Sequence, residues 1–138
     1  MGDIQGRGLV DGDATGDVVA LDEPLSFWGG FDVATGRIIG RHPQAGTSLS
    51  GKVVVMPSGR GSSSSSSVLV EAIRAGTAPV ALVLAEPDSI LVLGALVAQE
   101  LYGLAVPITV LWPSAYALVA AADTAQILNG GVVRIGMD

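Results

Sequence analysis

The 138-residue chain has no cysteine and a single histidine, His42. By itself it cannot ligate an iron–sulfur cluster through thiolates, use a Cys nucleophile or build a Cys/His zinc site. Charge is also scarce: 14% of residues are charged, with 13 acids against 7 bases and a net charge of −6. The bases run from Arg7 to Arg134 without a cluster, and a nucleic-acid surface needs a basic patch, so no nucleic-acid partner is expected. Although 49% of residues are apolar, long apolar runs are missing. Residues 80–85 are stopped by Glu86-Pro87-Asp88, and the run at 90–98 is nine residues, against roughly 20 for a bilayer crossing. Asp3 and the lack of an apolar N-terminal segment argue against a secretory signal, so a soluble cytoplasmic protein with no membrane partner is expected.

What is present fits one compact domain over residues 1–138, large enough to bury roughly two-thirds of its unfolded surface without disulfides or structural zinc. Charge is uneven along it. Residues 1–23 hold six acids (Asp3, Asp11, Asp13, Asp17, Asp22, Glu23) against Arg7, which reads as a solvated rim of turns. Asp11-Gly12-Asp13 lacks the other ligands of a calcium loop, and no metal site is expected.

The first third is glycine-rich, with short β-branched runs such as Val18-Val19 and Ile38-Ile39, the texture of short strands and turns. Residues 40–51, with His42-Pro43, read as a loop. Val53-Val54-Val55-Met56 is apolar without alternation, as in a strand covered on both faces by helices. A glycine loop and a helix over about 64–75 follow, stopped by Gly76. The unit repeats as strand 80–84, turn 86–88, and helix 89–102 capped by Asp88 and stopped by Gly103. Strand 106–111, a short helix 114–122 and a hairpin over 124–128 and 132–135 around Asn129-Gly130-Gly131 complete the chain. The fold class is α/β, with a mostly parallel central sheet and additional β-rich N-terminal segments.

Between the first buried-type strand and its helix lies Pro57-Ser58-Gly59-Arg60-Gly61, followed by six serines, 62–67. In isolation a hexaserine suggests a flexible linker. Here a helix begins within it, and a strand-to-helix turn collects backbone N–H groups and the positive end of the helix dipole. Arg60 adds a planar fork for a carboxylate or phosphate. Two readings stay open from the residues alone: an anion-binding turn, or a serine-rich N-cap with Arg60 in a surface ion pair. No Lys follows the glycines, so it is not a nucleotide P-loop.

Glu23-Pro24-Leu25-Ser26-Phe27-Trp28-Gly29-Gly30, Thr35-Gly36-Arg37-Ile38-Ile39, His42-Pro43, the Gly59-Arg60-Gly61-Ser62-Ser63-Ser64 run and Gly76-Thr77-Ala78-Pro79 together resemble the small subunit, or swivelling domain, of the aconitase X family, over nearly the whole chain. Members are hydro-lyases. The resemblance implies a swivelling β/β/α domain and an active site shared with a large subunit that carries an iron or iron–sulfur centre, with no cofactor bound by this chain. It places the family's catalytic serine on Ser62 as general base, its register set within residues 62–67. Arg60, Gly61, Ser63 and Ser64 then contact a small carboxylate substrate, and Phe27, Trp28, Gly29 and Gly30 meet the large subunit. The family pattern commonly has glycine near Ser65, where this chain has serine. The implied substrates are cis-3-hydroxy-L-proline and mevalonate 5-phosphate. One lysine against six arginines and abundant alanine suggest a GC-rich bacterial genome, which favours the first.

Other residues carry weaker signals. Phe27 and Trp28 beside two glycines serve equally as an edge-of-core anchor. His42 before Pro43 fits a turn, against a phosphocarrier role whose surrounding motif is absent, and Tyr102 and Tyr116 read as core or rim. Besides the dehydratase subunit, a non-catalytic module on the same fold is the competing expectation.

Overall fold

The computed structural model describes residues 3–137. Eight strands form one sheet in the order β1-β10-β9-β3-β6-β7-β8-β2. Its centre is parallel: β3 (Ala14–Ala20), β6 (Val53–Met56), β7 (Ala81–Leu84) and β8 (Ile108–Val110) run together, with Val53 opposite both Val18 and Ala81. The flanks are antiparallel, with β9 (Thr124–Leu128) and β10 (Val132–Gly136) as the C-terminal hairpin, and β1 (Ile4–Gln5) and β2 (Arg7–Val10) on the two outer edges.

Only Gly6 separates β1 from β2, yet they stand at opposite ends of the strand order. The sheet must therefore curl until its edges meet. At the seam, Gly6 N–H donates to Gly131 O at 3.0 Å, and the buried Thr109 hydroxyl lies 3.1 Å from the same oxygen. A Cβ on Gly131, whose φ is +81°, would stand 2.4 Å from Gly8 N. Closure thus needs glycine here, for its conformation and for its lack of a side chain.

The central strands separate two cores. Val54, Met56, Leu82 and Leu84 face Leu69, Ala72 and Ile73 of α2 (Ser65–Ala75) and Leu91, Ala95 and Ala98 of α3 (Ser89–Tyr102). Val53, Val55, Ala81 and Val83 face inward with Ala125, Ile127 and Val133, beneath Val119 of α4 (Pro113–Ala120). Period-two alternation sends successive residues to opposite faces, which is why β6 and β7 are apolar throughout. Helix ends follow local chemistry. Gly76 and Gly103 take left-handed conformations after α2 and α3, and the Asp88 carboxylate accepts the Ile90 and Leu91 N–H groups at the start of α3. Among the described residues no helix is long and apolar enough to cross a membrane.

The six acids of residues 1–23 are all exposed, all but Asp17 of β3 in turns or loops, and two of them also anchor a neighbouring segment. Asp11 and Asp13 accept the Gly130 and Asn129 N–H groups and fasten the tip of the C-terminal hairpin. Segment α1 (Phe27–Gly30), which sequence reading left unassigned, is a distorted helical turn with Trp28 extended and Gly29 at φ +81°. A small hairpin of β4 (Phe31–Asp32) and β5 (Arg37–Ile38) follows it.

Candidate active site

Strands β3, β6 and β7 are parallel neighbours, so their C-terminal loops emerge side by side. In open parallel sheets this end is where ligands bind. Here it gathers residues 21–30, 57–64 and 85–88. Leu25 pairs with Gly59 as an isolated parallel bridge, and Arg60 N–H donates to Leu25 O at 3.1 Å. On the other side of the loop, Gly59 N–H donates to Asp88 Oδ2 at 3.1 Å. Gly61, at φ +86°, then turns the chain into the serines.

Within the tract each serine does a different thing. Ser62 is half-buried, and its Oγ accepts the Ser64 N–H at 3.0 Å. Ser62 O and Ser63 O accept the Ser65 and Ser66 N–H groups. Three N–H groups at the start of α2 are thus already engaged within the loop, so the turn does not offer the wholly unpartnered array that the sequence suggests. Ser63 and Ser64 are exposed, whereas Ser65 is 4% exposed and its hydroxyl accepts the Trp28 N–H at 3.2 Å. That bond ties α1 to α2. Arg60 is exposed and 3.6 Å from the Glu23 carboxylate, so the ion-pair reading of its side chain holds in this state.

Two adjoining hollows define the surface. A small one, with room for about one water molecule, is lined by Arg60, Gly61, Ser62, Ser65 and Asp88 among others. A shallower and larger cleft, of about 280 Å³, is lined by Glu23, Trp28, Gly29, Arg41, His42 and Arg60 among others. The Phe-Trp-Gly-Gly segment divides here. Trp28 is 59% exposed on the cleft, but Phe27 is fully buried against Phe31, ring centroids 5.2 Å apart. A core side chain cannot be a contact surface, so the expected interface narrows to Trp28, Gly29 and Gly30.

His42 lies at the cleft, but its ring is occupied. Gln44 N–H donates to Nδ1 at 3.0 Å, which leaves the proton on Nε2 to bond Glu23 O at 3.2 Å. It pins the segment carrying Glu23, a turn role. Glu23, Arg41 and Ser65 carry no local spacing signal as site residues. Ser65 follows Arg60 along the same serine tract, whereas the adjacency of β3 and β6 is what brings Glu23 to it. The donor set does not suit an iron or iron–sulfur centre: no cysteine exists, and no three His, Asp or Glu residues converge among the described residues.

Comparison with known proteins gives this geometry a context. The family model described as Aconitase X swivel domain matches residues 3–135. A cis-3-hydroxy-L-proline dehydratase of Pseudomonas aeruginosa is 49% identical over 106 residues, covering 76% of this chain and 18% of that protein. One from Hypocrea jecorina is 39% identical over 130 residues, covering 94% and 22%. The chain therefore spans about a fifth of the length of these two relatives. The phosphomevalonate dehydratase small subunit of Pyrococcus abyssi is 33% identical over 133 residues, covering 96% of this chain and 90% of that one. Among solved structures, the crystal structure of Thermococcus kodakaraensis aconitase X (holo-form) superposes with a TM-score of 0.82 at 27% identity, covering 99% of each chain. Sequence match and shared architecture agree along the whole length, and the chain belongs to the aconitase X swivel domain family.

Proposed function

We propose that this chain, as one domain over residues 1–138, is the small subunit of a two-chain aconitase X-type dehydratase acting on cis-3-hydroxy-L-proline in the cytoplasm. The observation that carries the proposal is the convergence of Arg60, Ser62 and exposed Trp28 at the C-terminal end of the parallel strands. The 49% identity to a cis-3-hydroxy-L-proline dehydratase supports the substrate.

In this reading Arg60 exchanges Glu23 for the substrate carboxylate, with Gly61, Ser63 and Ser64 lining the same turn. Ser62 takes the proton from the carbon bearing that carboxylate. The neighbouring carbon loses hydroxide, and proton and hydroxide leave as water with a double bond remaining. A neutral hydroxyl is a weak base. The Ser64 N–H at 3.0 Å from Oγ favours a negatively charged oxygen, and the α2 N-terminus adds about 0.3–1 kcal/mol, up to ~2 when partly buried. At 1.36 kcal/mol per pKa unit that is little more than one unit. The remainder falls to a covering surface that excludes water and to groups the large subunit supplies. Any iron or iron–sulfur centre belongs there too, since this chain offers no ligand set for it.

A second reading is the small subunit of a mevalonate 5-phosphate dehydratase, favoured by the match over 90% of the Pyrococcus abyssi small subunit. Reconstitution with the large subunit and assay of both substrates decides between them. Dehydration of cis-3-hydroxy-L-proline only in the mixture, lowered about 10²–10⁴-fold by Ser62→Ala and kept in His42→Ala, is the expected result. Turnover of the phosphorylated substrate alone selects the second reading, and activity with neither leaves the non-catalytic module.

A further inference from the structure

We propose that Asp88 is a positioning residue for the Arg60–Ser62 loop, acting through the backbone of Gly59; this rests on the roles given above to Arg60 and Ser62. Its sequence signature is that of a helix cap, and one oxygen does that work: Oδ1 accepts the Ile90 and Leu91 N–H groups at 3.0 and 3.1 Å. A cap needs nothing more. Yet the second oxygen, Oδ2, reaches across to a different strand's loop and accepts the Gly59 N–H at 3.1 Å.

The fit is close. A Cβ on Gly59 would stand 2.5 Å from Asp88 Oδ2, so only glycine brings its backbone this near. Leu25 holds the opposite side, pairing with Gly59 and accepting the Arg60 N–H at 3.1 Å. The peptide entering Arg60 is therefore clamped between an anionic side chain and a neighbouring strand-like segment. With Gly61 turning immediately beyond it, any shift at Gly59 is carried to Arg60 and Ser62. Asp88 lines the same small hollow as those two residues. Three N–H donors, from Gly59, Ile90 and Leu91, engage its two carboxylate oxygens and fix the side chain's orientation. An uncapped helix would lose stability alone, whereas a loosened loop misplaces the groups that meet the substrate.

Asp88→Ser separates the two roles, because serine caps helices as well as aspartate does but is too short to span to Gly59. Asp88→Asn is the second variant: one oxygen remains for the cap, and an NH₂ faces the Gly59 N–H. In the unmodified full chain, amide hydrogen exchange at Gly59 is expected to be slow although the residue is in a loop. In both variants that protection falls at least tenfold while the Leu91 amide stays protected. In the complex with the large subunit, kcat/KM falls by about 10²-fold, the scale of a small misplacement, with the melting temperature near that of the parent. Rapid exchange at Gly59 in the unmodified chain overturns the proposal, as does full kcat/KM in Asp88→Ser. Full activity of Ser62→Ala instead refutes the base assignment, and the Gly59 exchange result, read on the chain alone, stays separate from that failure.

Discussion

At the scale of single residues, crowding and exposure predict opposite phenotypes for two neighbours of the site. Gly59→Ala would drive a methyl to 2.5 Å from Asp88 Oδ2 and 3.1 Å from Leu91 Cδ1, neither of which can retreat without disturbing the start of α3. Overpacking of this kind costs about 1–3 kcal/mol, measurable as a lower denaturation midpoint with an unchanged slope. Trp28 is the reverse case. At 59% exposure its ring contributes little to the isolated fold, so Trp28→Ala should leave stability within about 0.5 kcal/mol. If the large subunit covers this face, its affinity for the variant falls by roughly 2 kcal/mol or more, about 30-fold, as for a tryptophan anchor. Titration calorimetry against the large subunit reads this directly.

At the scale of elements, α2 rests on Leu69, Ala72 and Ile73 against β6 and β7. Leu69 is fully buried, and Leu69→Ala should cost about 2–5 kcal/mol, depending on how far the neighbours relax. Thermal or chemical unfolding checks it. These strand–loop–helix units are the part of the fold most legible in the sequence. The apolar runs, Asp88, Gly76 and Gly103 act within a turn or two of chain, and the observed boundaries fall within two residues of the expected ones, the start of β8 and the end of α4 departing furthest. Of the short segments, β5 is legible at Ile38-Ile39, whereas β1 and α1 are not. The two residues of β1 become a strand because β10 pairs with them, and long-range pairing overrides so weak a local preference. In α1, Trp28 leaves helical geometry where its N–H meets Ser65, 37 positions away. The candidate site divides in the same way. The Arg60–Ser67 turn is local and could be read as a site, while its meeting with Glu23, Trp28 and Asp88 depends on strand order.

At the scale of the whole molecule, the edge strand β1 is tied to its neighbour β10 by side chains as well as backbone. Asp3 and Arg134 form a two-bond fork, at 2.8 and 3.1 Å, between the residue before β1 and the middle of β10. The guanidinium hydrogen bond holds the Asp3 carboxyl below its ordinary value of 3.8. A depressed folded-state value means that the pair's contribution is complete above the unfolded-state value and is lost as pH falls through the folded one. Stability of the parent and Asp3→Asn should therefore differ at neutral pH and converge in strong acid, and salt should narrow the neutral-pH gap because the pair is exposed. Gly131→Ala probes the seam more severely. Left-handed strain of roughly 1–2 kcal/mol combines with a methyl forced to 2.4 Å from Gly8 N, itself worth about 1–3 kcal/mol. Unfolding midpoints should drop accordingly.

The same seam dictates an order of events during synthesis. Residues 4–10 leave the ribosome well before their partners, Val132, Val133 and the strand at 108–110. Strands β1 and β2 are thus placed only after most of the chain is made, and until the hairpin appears β3 presents an unpaired edge. So non-local a closure predicts slow folding for a chain of this size and a nascent form that depends on protection of that edge from other chains.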